Sequence, residues 1–78
     1  MPEWDPAEFV YVQIADDLTA HVRDGTYPVG SRLPSEAELA ESYGVAKMTV
    51  RRALDVLRER RLIRTLHGRG SVVVARAD

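Results

Sequence analysis

The chain has 78 residues, a net charge of -1 at pH 7 and no cysteine. A chain this short makes one small domain, here taken as residues 1–78, whose compact core leaves no room to enclose a large ligand cavity. Disulfides, thiolate metal sites and cysteine nucleophiles are excluded, and no apolar run is long enough to span a bilayer, so a cytoplasmic protein without a membrane partner is expected.

The N-terminal segment, residues 1–9 and "MPEWDPAEF" in sequence, is acidic and lacks the basic and apolar regions of a secretion signal. Its Trp4 either packs on the domain or meets a partner. Val10, Ile14, Leu18 and Val22 then recur every fourth residue, which gives a first helix one apolar face. Gly25 can end this helix, and Pro28 prevents its continuation. "TYPVG" reads as a turn and "SRL" (Ser31–Leu33) as a short extended piece.

"PSEAELAESYG" carries a helix start. Ser35 can cap, and Glu38 sits at the capping-box spacing. Ala37, Leu39, Ala40 and Tyr43 are expected on the packing side, and Gly44 can close the helix in the left-handed conformation. Val45-Ala46 leaves almost no loop before the next helix, so the pair suggests a helix-turn-helix. At about 100° per residue, Val50, Ala53, Leu54 and Leu57 of the third helix share one arc roughly 100° wide, the expected core stripe. Lys47, Met48, Arg51 and Arg52 form the outward face of its first two turns, with no acid among them. "LIRTL" and "SVVVA" follow as two short β-like runs. Joined by "HGRG", they read as a hairpin over residues 62–75 with His67 and Arg69 near its tip.

The near-zero net charge conceals an asymmetry. Residues 1–46 hold nine acids and two bases, a balance of -7, whereas residues 47–78 hold nine bases and three acids, a balance of +6. A basic half is the footprint of a polyanion binder, and equally of two solvated faces that attract each other. Arg51 and Arg52 either present their forks to guanine edges in a major groove or pair with Glu41 or Asp55 on a solvated helix. The "HGRG" tip either approaches the minor groove or backbone or is an ordinary turn.

Other chemistry has little support. His21, expected at the surface of the first helix, and His67 are far apart and lack further ligands at metal-binding spacing, so no metal or cofactor is expected. Ser31, Ser35, Ser42 and Ser71 sit in no nucleophile motif, so no catalytic residue is assigned and the chain reads as a non-enzyme.

With "GSRLPSEAELA", "TVRRAL" and "HGRGSVV" in this order and spacing, residues 11–74 resemble the winged helix-turn-helix DNA-binding domain of the GntR family of bacterial transcription regulators. Met48 before "TVR" is most similar to the HutC-like subgroup. The resemblance implies a mainly α fold with a small β-hairpin: three helices plus a C-terminal wing. It implies sequence-specific binding of double-stranded DNA as a regulator, in the repressing sense, with two copies on an inverted repeat. It places Arg32, Ser35 and Glu36 toward the DNA backbone, Lys47, Thr49 and Arg51 in the recognition helix, and His67, Gly68 and Arg69 at the wing tip. Three positions depart from the family pattern. Ala46 replaces a capping Ser, Lys47 an Arg, and Arg61 the Gly that closes helix three, where a positive φ would strain a side chain. The C-terminal effector-binding and dimerising domain usual in the family is also missing. No small-molecule effector is therefore expected for these residues, which are either a stand-alone module or a fragment of a longer regulator, Met1 leaning only slightly to the former. The rival from another class is a protein–protein module on the same scaffold, served by the acidic half and Trp4.

Overall fold

A computed structural model describes residues 4–66 and 70–76. Three helices, α1 (Val10–Arg23), α2 (Glu36–Tyr43) and α3 (Lys47–Glu59), are followed by the strands β1 (Ile63–Leu66) and β2 (Gly70–Val73). No helix among the described residues is long and apolar enough to cross a membrane.

In α1, Ile14, Leu18 and Val22 are buried as the four-residue spacing requires, Ala15 joins them, and Val10 is half-buried. Phe9 at its start supplies no side-chain cap. Gln13 instead folds back on the preceding segment: its amide oxygen accepts from the Asp5 N–H at 2.7 Å, and its amide nitrogen donates to the Asp5 and Glu8 carbonyls at 2.9 and 3.0 Å. Trp4 is thereby packed on Tyr43, with ring centroids 6.0 Å apart. Of the two roles open to Trp4, packing is the one observed.

The capping box of α2 is formed. The Glu38 N–H donates to Ser35 Oγ at 3.1 Å, and the Glu38 carboxylate accepts from the Ser35 N–H at 3.2 Å. Leu39, Ala40 and Tyr43 are buried, but Ala37 is exposed rather than on the packing face. At ~100° per residue it lies roughly 115° from the centre of the arc those three define. The Tyr43 hydroxyl donates to Asp17 at 2.6 Å and ties α2 to α1; burial, with the Asp17 carboxylate, pushes its phenol pKa upward.

The stripe of α3 (Val50, Ala53, Leu54 and Leu57) is fully buried, and α3 packs on α1, α2 and β1. Withdrawing each of its larger side chains from water contributes about 1.5–3 kcal/mol. At the far end, Arg60 donates to Thr19 Oγ1 at 2.9 Å and to the Asp16 carboxylate at 2.8 Å, bracing α3 against α1.

Two helix ends close in the same way. After α2, the Val45 N–H reaches the Ala40 carbonyl at 3.0 Å and the Gly44 N–H reaches Glu41 at 3.3 Å, with Gly44 at φ 68. After α3, the Leu62 N–H reaches the Leu57 carbonyl at 3.1 Å and the Arg61 N–H reaches Arg58 at 2.9 Å, with Arg61 at φ 62. Both are Schellman closures, which need one left-handed residue. The second places an arginine where glycine would be unstrained.

β1 and β2 pair antiparallel, Ile63 opposite Val73 and Leu66 opposite Gly70. The extended piece is present as a bridge of Arg32 to Val72. The Leu33 N–H donates to Ser71 and the Val73 N–H to Ser31, both at 2.9 Å, so β2 lies between β1 and this piece. Ile63 and Val73 are buried and anchor the hairpin to the helical core.

Candidate nucleic-acid interface

The short turn at Gly44 fixes α3 directly after α2, so the start of α2, the front of α3 and the hairpin are neighbours. A groove of about 130 Å³ between the start of α2, the later turns of α3 and the hairpin is lined by Ser35, Glu36, Leu54, Arg58, Thr65, Gly70 and Ser71, among others. At the front of α3, Lys47, Met48, Arg51 and Arg52 are all exposed, while Thr49 is half-buried. Arg32 is exposed on the extended piece beside β2, with its side chain near Gly70.

Glu36 organises this surface. The Arg51 guanidinium grips its carboxylate with two hydrogen bonds, Nη2 to Oε1 at 2.9 Å and Nε to Oε2 at 3.2 Å. That hydrogen bonding holds the Glu36 pKa below the usual carboxylate range, and the charges of Arg51, Lys47 and Arg58 act in the same direction. Arg51 is therefore paired, but with Glu36 rather than with Glu41 or Asp55. The fork lies against the start of α2 while the Arg51 side chain stays 52% exposed. Among the described residues, Lys47 and Arg52 have no ion-pair partner.

The Ser35 hydroxyl accepts within the capping box, which leaves its proton available to an anion. Ala46 gives α3 no side-chain cap, and the first turn of α3 holds no acid. The helix dipole there favours negative charge. His67, Gly68 and Arg69, expected at the wing tip, lie outside the described residues.

Arg58 escaped the sequence reading as a site residue, although its helical angle falls close to that of Lys47. It bridges Asp55 and Thr65 of β1, joining α3 to the hairpin. The Arg51–Glu36 pair was also missed, because the partners are 15 residues apart across a turn whose geometry the sequence does not display. His21 is half-buried rather than on the open surface. Its Nε2 is 3.5 Å from Asp17, its Nδ1 is 3.7 Å from Asp24, and Tyr27 meets its ring edge-on. A second, open cleft of about 620 Å³ lies at the far end of α3, lined by Arg58, Arg61 and Arg64 with Ile63, Thr65, Val74 and Ala75.

The fold and this surface define a winged helix-turn-helix domain. Residues 10–73 match the gntR family of bacterial regulatory proteins, and the chain belongs to that family. It is similar to the transcriptional repressor NagR of Bacillus subtilis, 41% identical over 64 residues, which covers 82% of this chain and 26% of NagR. In structure it is similar to a GntR family transcriptional regulator from Listeria monocytogenes, with a TM-score of 0.86 and 32% identity over 96% of this chain and 64% of that one. It is also similar to BusR of S. agalactiae, solved in complex with its busAB-promotor DNA, with a TM-score of 0.81 and 26% identity over 88% of this chain and 34% of that one. The chain spans about a quarter of the length of the curated relatives it matches.

Proposed function

We propose that the chain binds double-stranded DNA in a sequence-specific way as a cytoplasmic transcription regulator, acting as a repressor and not as an enzyme. The front of α3 carries this reading. It presents Lys47 and Arg52 without ion-pair partners among the described residues, and Arg51 joined to Glu36 at the start of α2. In this reading α3 enters the major groove, with Lys47, Met48, Thr49, Arg51 and Arg52 toward the bases. Arg32, Ser35 and Glu36 lie along the backbone, and His67, Gly68 and Arg69 reach toward the minor groove. The promoter complex of BusR and the repressor role in the name of NagR support it. One such surface covers a short half-site, so two copies on an inverted repeat supply useful affinity.

The rival protein-docking reading is the less supported of the two. Trp4 packs on Tyr43, and Asp16, Asp17 and Asp24 of the acidic half are engaged by Arg60, Tyr43 and Thr26. We further propose that the described residues hold no effector site, since their buried apolar side chains share one core cluster. The arginine-lined open cleft is where a small anion would bind if they did, and a thermal-shift screen of anionic metabolites with no saturable rise supports the proposal.

The test of DNA binding is a titration against mixed genomic fragments at two salt concentrations. Affinity that falls steeply with salt supports the reading, because phosphate contacts release counterions. Salt-independent capture, or none, contradicts it.

A further inference from the structure

The front of α3 carries one side chain that charge does not explain. Met48 is 54% exposed and lies outside the hydrophobic core and the residues packed on it. At ~100° per residue it lies opposite the buried stripe, on the most protruding line of the helix, between Arg51 and Arg52. Further along that line stand Asp55 and Glu59, both exposed acids that phosphate would repel, so the approach of a duplex is confined to the first turns. Among the described residues, the other large exposed apolar side chains lie off α3: Phe9 stacks on Tyr11, while Val29, Leu66 and Val74 belong to the turn and hairpin.

A duplex major groove offers one apolar mark, the 5-methyl group of thymine. An unbranched thioether suits it, being apolar, polarisable and free to adjust. Thr49, the neighbouring residue with a methyl group, is half-buried at the edge of the outward face, so its methyl reaches out less far than the Met48 thioether. We infer that Met48 is a specificity-determining residue that reads the methyl group of one thymine in each half-site. This rests on the proposal that the front of α3 enters the major groove.

The experiment first enriches bound sequences from a pool of random duplexes. Each thymine of the enriched site is then replaced singly by uracil, which removes the methyl and keeps the base pair. One position per half-site should weaken binding of the unaltered chain about fourfold, the value of one methyl group lost from an apolar contact. Met48→Ala should bind the thymine site about fourfold more weakly and lose the thymine–uracil difference at that position, whereas Met48→Leu should keep it. Unchanged circular dichroism is expected, since the side chain is exposed. If the pool enriches but no thymine responds, or if Met48→Ala keeps the response, the inference fails while sequence-specific binding stands. If the pool does not enrich at all, both fail.

Discussion

The two ends of α3 are built for different purposes. At its far end the cations are used internally: Arg58 holds Asp55 and Thr65, Arg60 holds Asp16 and Thr19, and Leu57 is completely buried. At its front, Lys47, Met48 and Arg52 face solvent, and Ala46 leaves the first turn without a side-chain cap. Composition hardly distinguishes the two ends, since each is rich in basic residues. The partners distinguish them, and partners depend on what α1, α2 and the hairpin bring alongside. The far end holds the fold together, and in the proposed reading the front is left for DNA.

Substitutions at each end should separate the two roles. Leu57→Ala at the far end should cost about 2–5 kcal/mol of unfolding free energy, measured in urea, because it opens a cavity in the core. The folded fraction should keep its preference among DNA sites. Arg51→Ala at the front should cost about 1–3 kcal/mol of binding to an enriched site and relax preference at one base pair, with only a small change in midpoint. An equal loss on every sequence would make Arg51 a phosphate contact.

Smaller effects sharpen the contrast. Ala46→Ser should add the missing cap and raise stability by about 1 kcal/mol, read as a higher denaturation midpoint. Arg61→Gly should hold or raise stability, by up to about 1 kcal/mol, since the backbone there has φ 62 and glycine adopts it freely. A clear loss would show that the Arg61 side chain contributes more than its strain costs. The smallest effect concerns acid. Arg51 holds the folded-state pKa of Glu36 below its ordinary value, so this contribution is complete above the unfolded carboxylate pKa and disappears as pH falls through the lower folded value. Glu36→Gln should therefore remove a slight stability loss on acidification, measurable as a shallower fall of midpoint toward low pH.

Much of this architecture was legible because local rules and packing agreed. The α1 spacing, the Ser35–Glu38 box, the left-handed Gly44 and the α3 stripe each follow from residues within a few positions of one another. The strain at Arg61 was legible only through the family resemblance, as the position where glycine is usual. What could not be read were contacts across the fold. Nothing near Arg51 in the chain points to Glu36, and nothing near Tyr43 points to Asp17. Ala37 was assigned to the wrong face because alanine is too small and too neutral to mark either side of a short helix. The hairpin was legible from two β-like runs joined by glycines, but its register and the bridge of Arg32 to Val72 were not, since the bridge required the turn after α1 to bring that piece back onto β2.

The central claim is that the front of α3, with the start of α2 and the hairpin, forms the DNA-facing surface. Mapping amide chemical-shift changes by two-dimensional NMR, as an enriched duplex is added to the 15N-labelled chain, tests it most directly. The account predicts the largest changes at Ser35–Glu36, at Lys47–Arg52 and in the hairpin, with α1 nearly unaffected. Changes centred on the acidic residues of α1, with Lys47–Arg52 unmoved, would contradict it.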